Sequence, residues 1–155
     1  MHTLVKHINS SFKIFLLSTI IFLIGFNSNA EMTAEEIIKS RQALFSKNYR
    51  TAKKVQSLAS NLDFEDATVL MKEMSENYKV LIDLFPENTQ EGFDTEALLT
   101  IWDEKDDFNA LMQKASDDMI KLVSVIEDAD DIRGTLTKFM WSNCKACHSN
   151  YREEH

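Results

Sequence analysis

Thr33-Ala34-Glu35-Glu36-Ile37-Ile38-Lys39-Ser40-Arg41-Gln42-Ala43-Leu44-Phe45 carries the clearest helix start in the chain. Thr33 and Glu36 form a capping box. The threonine hydroxyl can accept from the Glu36 backbone N–H while the glutamate reaches back to Thr33, which satisfies two donors that a first helical turn leaves unpaired. Beyond the box, apolar residues recur at Ile37, Leu44, Phe45, Ala52, Val55 and Ala59. That is the spacing of one helical face, and it predicts a helix running to about Leu58. Downstream, Asp63 can cap a second helix with the stripe Ala67, Leu70, Met71, Met74, Tyr78 and Leu81, and Pro86 stands just past its end. Residues 84 to 103 carry no stripe and read as a long connection. A third stripe follows at Phe108, Leu111, Met112, Ala115, Met119, Leu122 and Ile126. Asp128 to Asp131 then give a turn and an acidic N-terminus to a fourth helix, which carries Ile132, Leu136, Phe139, Met140, Cys144, Cys147 and Tyr151. Helices of about 20 residues with two short links and one long one predict an all-α, antiparallel, up-down-up-down four-helix bundle.

Composition agrees. The 155 residues are 44% hydrophobic and 27% charged, with 3 Gly and 1 Pro, which excludes disorder and collagen and leaves little turn chemistry for a many-stranded sheet. Net charge is −8, so no basic surface announces phosphate-backbone binding, and nucleic acid is not an expected partner. No internal repeat divides the chain.

Residues 1 to 30 read as a leader. Lys6 and Lys13 stand without an acid, the apolar run Ile14 to Phe26 follows, and Ser28 and Ala30 supply small residues ahead of Glu31. This predicts a cleavable secretory signal, cut after Ala30, and an exported periplasmic domain over residues 31 to 155 with no membrane association after cleavage. The loss of two lysines takes the net charge from −8 to about −10. His2 and His7 leave with the segment, so His148 and His155 are the histidines of the mature domain.

Both cysteines lie in Cys144-Lys145-Ala146-Cys147-His148, the C-x-x-C-H pattern of covalent haem attachment. On a helix the two thiols share a face, so they can form thioethers with two vinyl groups of one porphyrin, and His148 then serves as axial ligand to the iron. Three other readings of the pair stay open at this point. A redox dithiol would want a βαβ context, a disulfide would give the adjacent histidine no role, and structural zinc would need ligands the mature chain barely has. For the sixth position of the iron, His155 lies too near His148 on the same helix. The methionines of the mature chain, Met32, Met71, Met74, Met112, Met119 and Met140, read as packing on their stripes.

The stretch Cys144-Lys145-Ala146-Cys147-His148-Ser149-Asn150-Tyr151-Arg152 resembles the haem-binding end of the cytochromes c′, the class II cytochromes c. Ile38-Lys39-Ser40-Arg41-Gln42-Ala43-Leu44-Phe45 resembles the first-helix segment of that family with its Arg-Gln pair. Leu84-Phe85-Pro86-Glu87, with Asp94-Thr95 and Ile101-Trp102, resembles its central loop. The resemblance spans residues 33 to 153. It implies haem c as cofactor, Arg41 and Gln42 at the haem edge and propionates, and Phe45 facing the iron on the distal side. It also implies a homodimer through the first two helices. Low-spin relatives place a Met where this chain has Phe45, and Phe cannot coordinate, so the resemblance implies a five-coordinate, high-spin iron. Arg152 is expected near the proximal side. The family loop often carries an Arg and a Pro where this chain has Glu96 and Leu99, which leaves Thr95 as the loop's candidate for a haem-edge contact. Trp102 reads as packing.

These expectations frame the functional classes. One is a haem protein binding small neutral gases, NO and CO, behind an apolar distal wall that disfavours oxygen for want of a hydrogen-bond donor. Another is an electron carrier with an unidentified redox partner, whose acidic surface would steer a basic protein. Within that class, a low-spin six-coordinate cytochrome is the alternative; from another class, a haem-free helical interaction protein with a Cys144–Cys147 disulfide. No nucleophile with its base, carboxylate pair or Gly-rich phosphate loop is visible, and no catalysis is expected.

Overall fold

A computed structural model describes residues 31–154. The expected leader, its cut after Ala30 and His155 lie outside the described residues. Helix α1 is Ala34–Ser60, and its capping box forms as read: Glu36 N–H donates to Thr33 Oγ1 at 3.3 Å and Thr33 N–H to Glu36 Oε2 at 2.8 Å. The link to α2 (Phe64–Ile82) is short and passes through Leu62 in the left-handed region, φ 63°. Asp63 holds the N-cap position of α2, but its carboxylate makes no capping hydrogen bond.

The long connection is irregular apart from a 3₁₀ turn at Glu87–Thr89 and the single turn α3 (Thr100–Asp103). Helix α4 is Lys105–Val125. The fourth run of the bundle is composite: α5 (Ile132–Leu136), a π turn at Thr137–Trp141, and α6 (Ser142–Tyr151). Asp131 caps α5 by accepting the Gly134 N–H at 2.9 Å, and a Cβ at position 134 would run into that carboxylate. The π turn has no counterpart in the sequence pattern. It fits an extra residue into one turn, so the stripe Leu136, Met140 is re-registered just before the Cys144 segment.

The core lies between α2 and α4, closed by α1 and the composite run. Met71, Met74, Met112, Met119 and Met140 are each at most 2% exposed, in line with their reading as packing, whereas Met32, ahead of α1, is 44% exposed and does not pack as expected. Each of the buried methionines contributes about 1.5–3 kcal/mol through burial. On α1 the inward stripe is Ile38, Arg41, Phe45, Asn48, Ala52, Val55 and Ala59, so Ile38 takes the buried place expected of Ile37. The stripe thus carries a buried cation and a buried amide, and both bear on the site.

Candidate haem site

Helix α6 presents Cys144 and Cys147, both partly buried with free thiols, while His148 next to them is exposed. The segment is held from both ends. At the start, buried Asn143 donates through Nδ2 to Asp118 Oδ2 on α4 at 2.9 Å and to Phe139 O at 2.8 Å. At the far end, the Tyr151 hydroxyl donates to Glu104 Oε2 at 3.1 Å, and the chain pairs antiparallel with the connection at Ala97 and Arg152. Leu98 N–H donates to Tyr151 O at 3.1 Å and Thr100 Oγ1 to Asn150 O at 3.0 Å.

The thiols sit in an environment that disfavours charge. Burial pushes the Cys144 thiol up, and burial followed by the neighbouring Cys144 pushes Cys147 up to about 12. The Cys144 thiol donates to Met140 O at 3.6 Å. Tyr78 of α2 faces both cysteines and Asn48 of α1, and burial is the main cause that raises its pKa. Asn48 Oδ1 accepts from Asn77 Nδ2 at 2.8 Å, whereas Asn48 Nδ2 has no hydrogen-bond partner among the described residues although the residue is only 4% exposed. The His148 imidazole is lowered, first by partial desolvation and then by Arg152.

Arg41, 2% exposed, clamps the connection to α1. Its Nη1 donates to Thr89 Oγ1 at 2.9 Å and Leu84 O at 3.2 Å, and its Nη2 to Thr95 Oγ1 at 2.7 Å and Thr89 O at 2.9 Å. Its guanidinium also lies 4.5 Å from the Phe85 ring centre. Desolvation lowers its pKa to about 10, so it stays charged at neutral pH. Gln42 Nε2 donates to Asp94 O at 3.0 Å, beside Gly92, Phe93 and Asp94, which run left-handed at φ 88°, 53° and 56°. Such a run costs free energy at the two non-glycine positions and persists because Gln42 and Arg41 hold the loop on both sides.

Phe45, partly buried, meets Phe85 edge-on with ring centres 6.3 Å apart. The aromatic contacts continue from Phe85 to Phe108 at 4.7 Å and from Phe108 to Tyr151 at 5.3 Å, which joins α1, the connection, α4 and α6. Arg152 Nε donates to Glu96 Oε2 at 2.6 Å, so it lies in an ion pair near His148 rather than free in solvent. Trp102 packs on Phe85 and donates its indole N–H to Phe85 O at 3.1 Å, the packing role expected of it.

The structure therefore brings Arg41, Gln42 and Thr95 together, and links them through Glu96 to Arg152 and His148. Asn48 and Tyr78 were not legible as site residues. Tyr78 reads from the sequence as one more position on the α2 stripe, and the one signal that could have found Asn48 was its place one turn beyond Phe45. Residues 36–152 match the sequence profile of the cytochrome c′ family. The chain belongs to that family. The cytochrome c′ of Rhodopseudomonas palustris is 25% identical over 139 residues, covering 88% of this chain and 94% of that one. The fold is that of the cytochrome c′ of Thermochromatium tepidum (TM-score 0.68, 19% identity, 81% of this chain and all of that one). It is equally that of a ferrous, NO-bound variant of the Alcaligenes xylosoxidans protein (TM-score 0.68, 18% identity, 81% and 99% covered).

Cytochromes c′ bind haem c, and haem c is the cofactor of this c-type cytochrome. The donors present fit it: thiols one helical turn apart, an imidazole adjoining the second, and a buried amide on α1 with an unused N–H. A Cys144–Cys147 disulfide does not fit as well. Residues three apart in a continuous helix hold their Cβ atoms about 5–6 Å apart, beyond the roughly 3.5–4.5 Å a disulfide prefers.

Proposed function

We propose that this protein is a periplasmic, high-spin cytochrome c′ that binds small gases, NO and CO, and exchanges single electrons. Cys144 and Cys147 would hold the haem through their thiols, His148 would supply a ligand to its iron, and Phe45 would cover the other side. When bound, the haem supplies the ferric/ferrous couple and an open coordination position. The observation that carries the reading is Phe45 on the inward face of α1, packed against Phe85 and without an atom that could coordinate iron. The buried methionines belong to the α2–α4 core and the composite run, which counts against a low-spin Met-ligated centre.

Arg41 and Gln42 hold the connection against α1 and place a lasting positive charge beside it, suited to the propionate carboxylates, and Thr95 fixes that guanidinium. Arg152, anchored on Glu96, keeps a cation near His148 and favours its neutral, ligating form. The leader read in residues 1 to 30 supports export to the periplasm. Val69 and Val80, 59% and 50% exposed on one face of α2, support a homodimer through the first two helices.

The test is the anaerobic absorption spectrum of the purified, dithionite-reduced protein. A broad, unsplit high-spin spectrum that shifts on adding NO is expected. Sharp, split low-spin bands would overturn the open position and leave simple electron transfer.

A further inference from the structure

The charges of this acidic chain are segregated by element. From Ile37 to Leu62 there is no carboxylate, and the cations are Lys39, Arg41, Lys47, Arg50, Lys53 and Lys54. From Ile132 to Arg152 there is again none, against Arg133, Lys138, Lys145 and Arg152. Of the 25 acidic residues, 20 fall between Asp63 and Asp131, where only five cations stand. The first acid-free segment is α1 beyond its first turn, with its exit; the second is the composite run that carries the Cys144–His148 motif.

The bundle places these two segments side by side. Trp141 Nε1 donates to Gln56 Oε1 at 2.9 Å, and Tyr49 meets Trp141 edge-on with centres 6.3 Å apart. Lys53 Nζ lies 4.4 Å from the Tyr49 ring centre. Between the segments runs a groove of ≈ 470 Å³ lined by Gln56, Ser60, Arg133, Leu136, Thr137 and Trp141. Arg50, Lys53, Arg133, Lys138 and Lys145 are exposed, and among the described residues none of them is in an ion pair. The α1 stripe involved, Tyr49, Lys53, Gln56 and Ser60, lies on another side of the helix from Lys47, which pairs with Glu73 of α2.

We propose that this face, formed by α1 and the haem-bearing run, is the docking surface for an acidic redox protein. The proposal rests on the functional reading above and reverses the partner charge that the net charge suggests. A carboxylate-rich partner finds unpaired cations around a half-exposed aromatic pair, on the helix that carries the attachment motif, while the remaining surface repels it. Docking is thereby confined to one orientation.

The test uses the haem-loaded protein and ferricyanide. Ferricyanide takes one electron and becomes ferrocyanide as the haem iron passes from ferrous to ferric. If the net charge governs the encounter, like charges repel and the rate rises with added salt. If the basic face governs it, the rate falls by at least about threefold between low and physiological ionic strength. The Lys53→Glu/Lys138→Glu variant should abolish or invert that slope while its spectrum stays unchanged.

Amide shifts induced by a hexaglutamate peptide should map to Arg50, Lys53 and Lys138. A rate that rises with salt in the parent protein overturns the docking face. So does binding to phosphatidylglycerol vesicles without any response to hexaglutamate, which would assign the face to lipid. Salt-sensitive self-association at this face would assign it to a second copy and equally overturn it. Intact mass is read separately: a haem-free chain overturns the functional reading, whereas a haem-loaded chain with the wrong salt slope overturns only the docking face.

Discussion

Phe45 and Arg41 stand one turn apart on α1, and the local physics of each is different. Phe45 offers a ring and no donor. On the proposed reading, a gas reaching the iron would have to displace that ring from its contact with Phe85, so association should be slow in the parent protein. Phe45→Ala should accelerate CO association by about tenfold, equivalent to removing about 1.4 kcal/mol of barrier. Stopped-flow mixing measures it, and an unchanged rate would mean that Phe45 does not guard the iron. The Nη donors of Arg41 are taken up by Thr89, Thr95 and Leu84, so its first effect is to fix the connection. Asn48 corrects the picture of a wholly apolar wall, because a buried N–H without a partner lies on the same face as Phe45.

At the scale of elements, α1 begins where the chemistry of Thr33 and Glu36 places it. Hydrogen bonds from the Thr33 backbone and then its hydroxyl hold the Glu36 carboxyl below its ordinary 4.5. A carboxyl whose pKa is lower folded than unfolded stabilises the fold above the unfolded value, and that contribution is lost as pH falls through the folded value. The Thr33 amide resonance should therefore follow a titration with its midpoint below 4.5, and a midpoint at or above it would mean the box does not form. The Thr33 box, most of the stripes and the helix order were legible because they depend on neighbours within a turn or two, whereas the Asp63 cap did not form. The π turn at Thr137–Trp141 was not, since nothing in a local period records where a helix must widen to pack.

For the whole molecule, the proposed dimer is argued from α2 and the proposed docking face from α1 and the composite run. Val69 and Val80 are exposed on α2, and replacing both with Glu should convert a dimer to monomer in sedimentation while leaving the helical content unchanged. An unaltered mass would place the interface elsewhere. The basic face could not be read from a net charge of −8, because a sum over residues carries no information about which helices end up adjacent.

The sequence by itself determined the helical stripes and the attachment motif at Cys144, Cys147 and His148, while the place of Phe45 facing the iron is what the family resemblance implies. The stripes and the motif are written in spacings shorter than two helical turns. Only the tertiary structure decided that Arg41 is a buried clamp on residues 43 to 54 positions away, that Asn48 keeps a donor without a partner among the described residues, and that two acid-free segments form one face. Hydrogen bonding, desolvation and electrostatic fields act through space, so partners far apart in the chain become defined only when the helices pack.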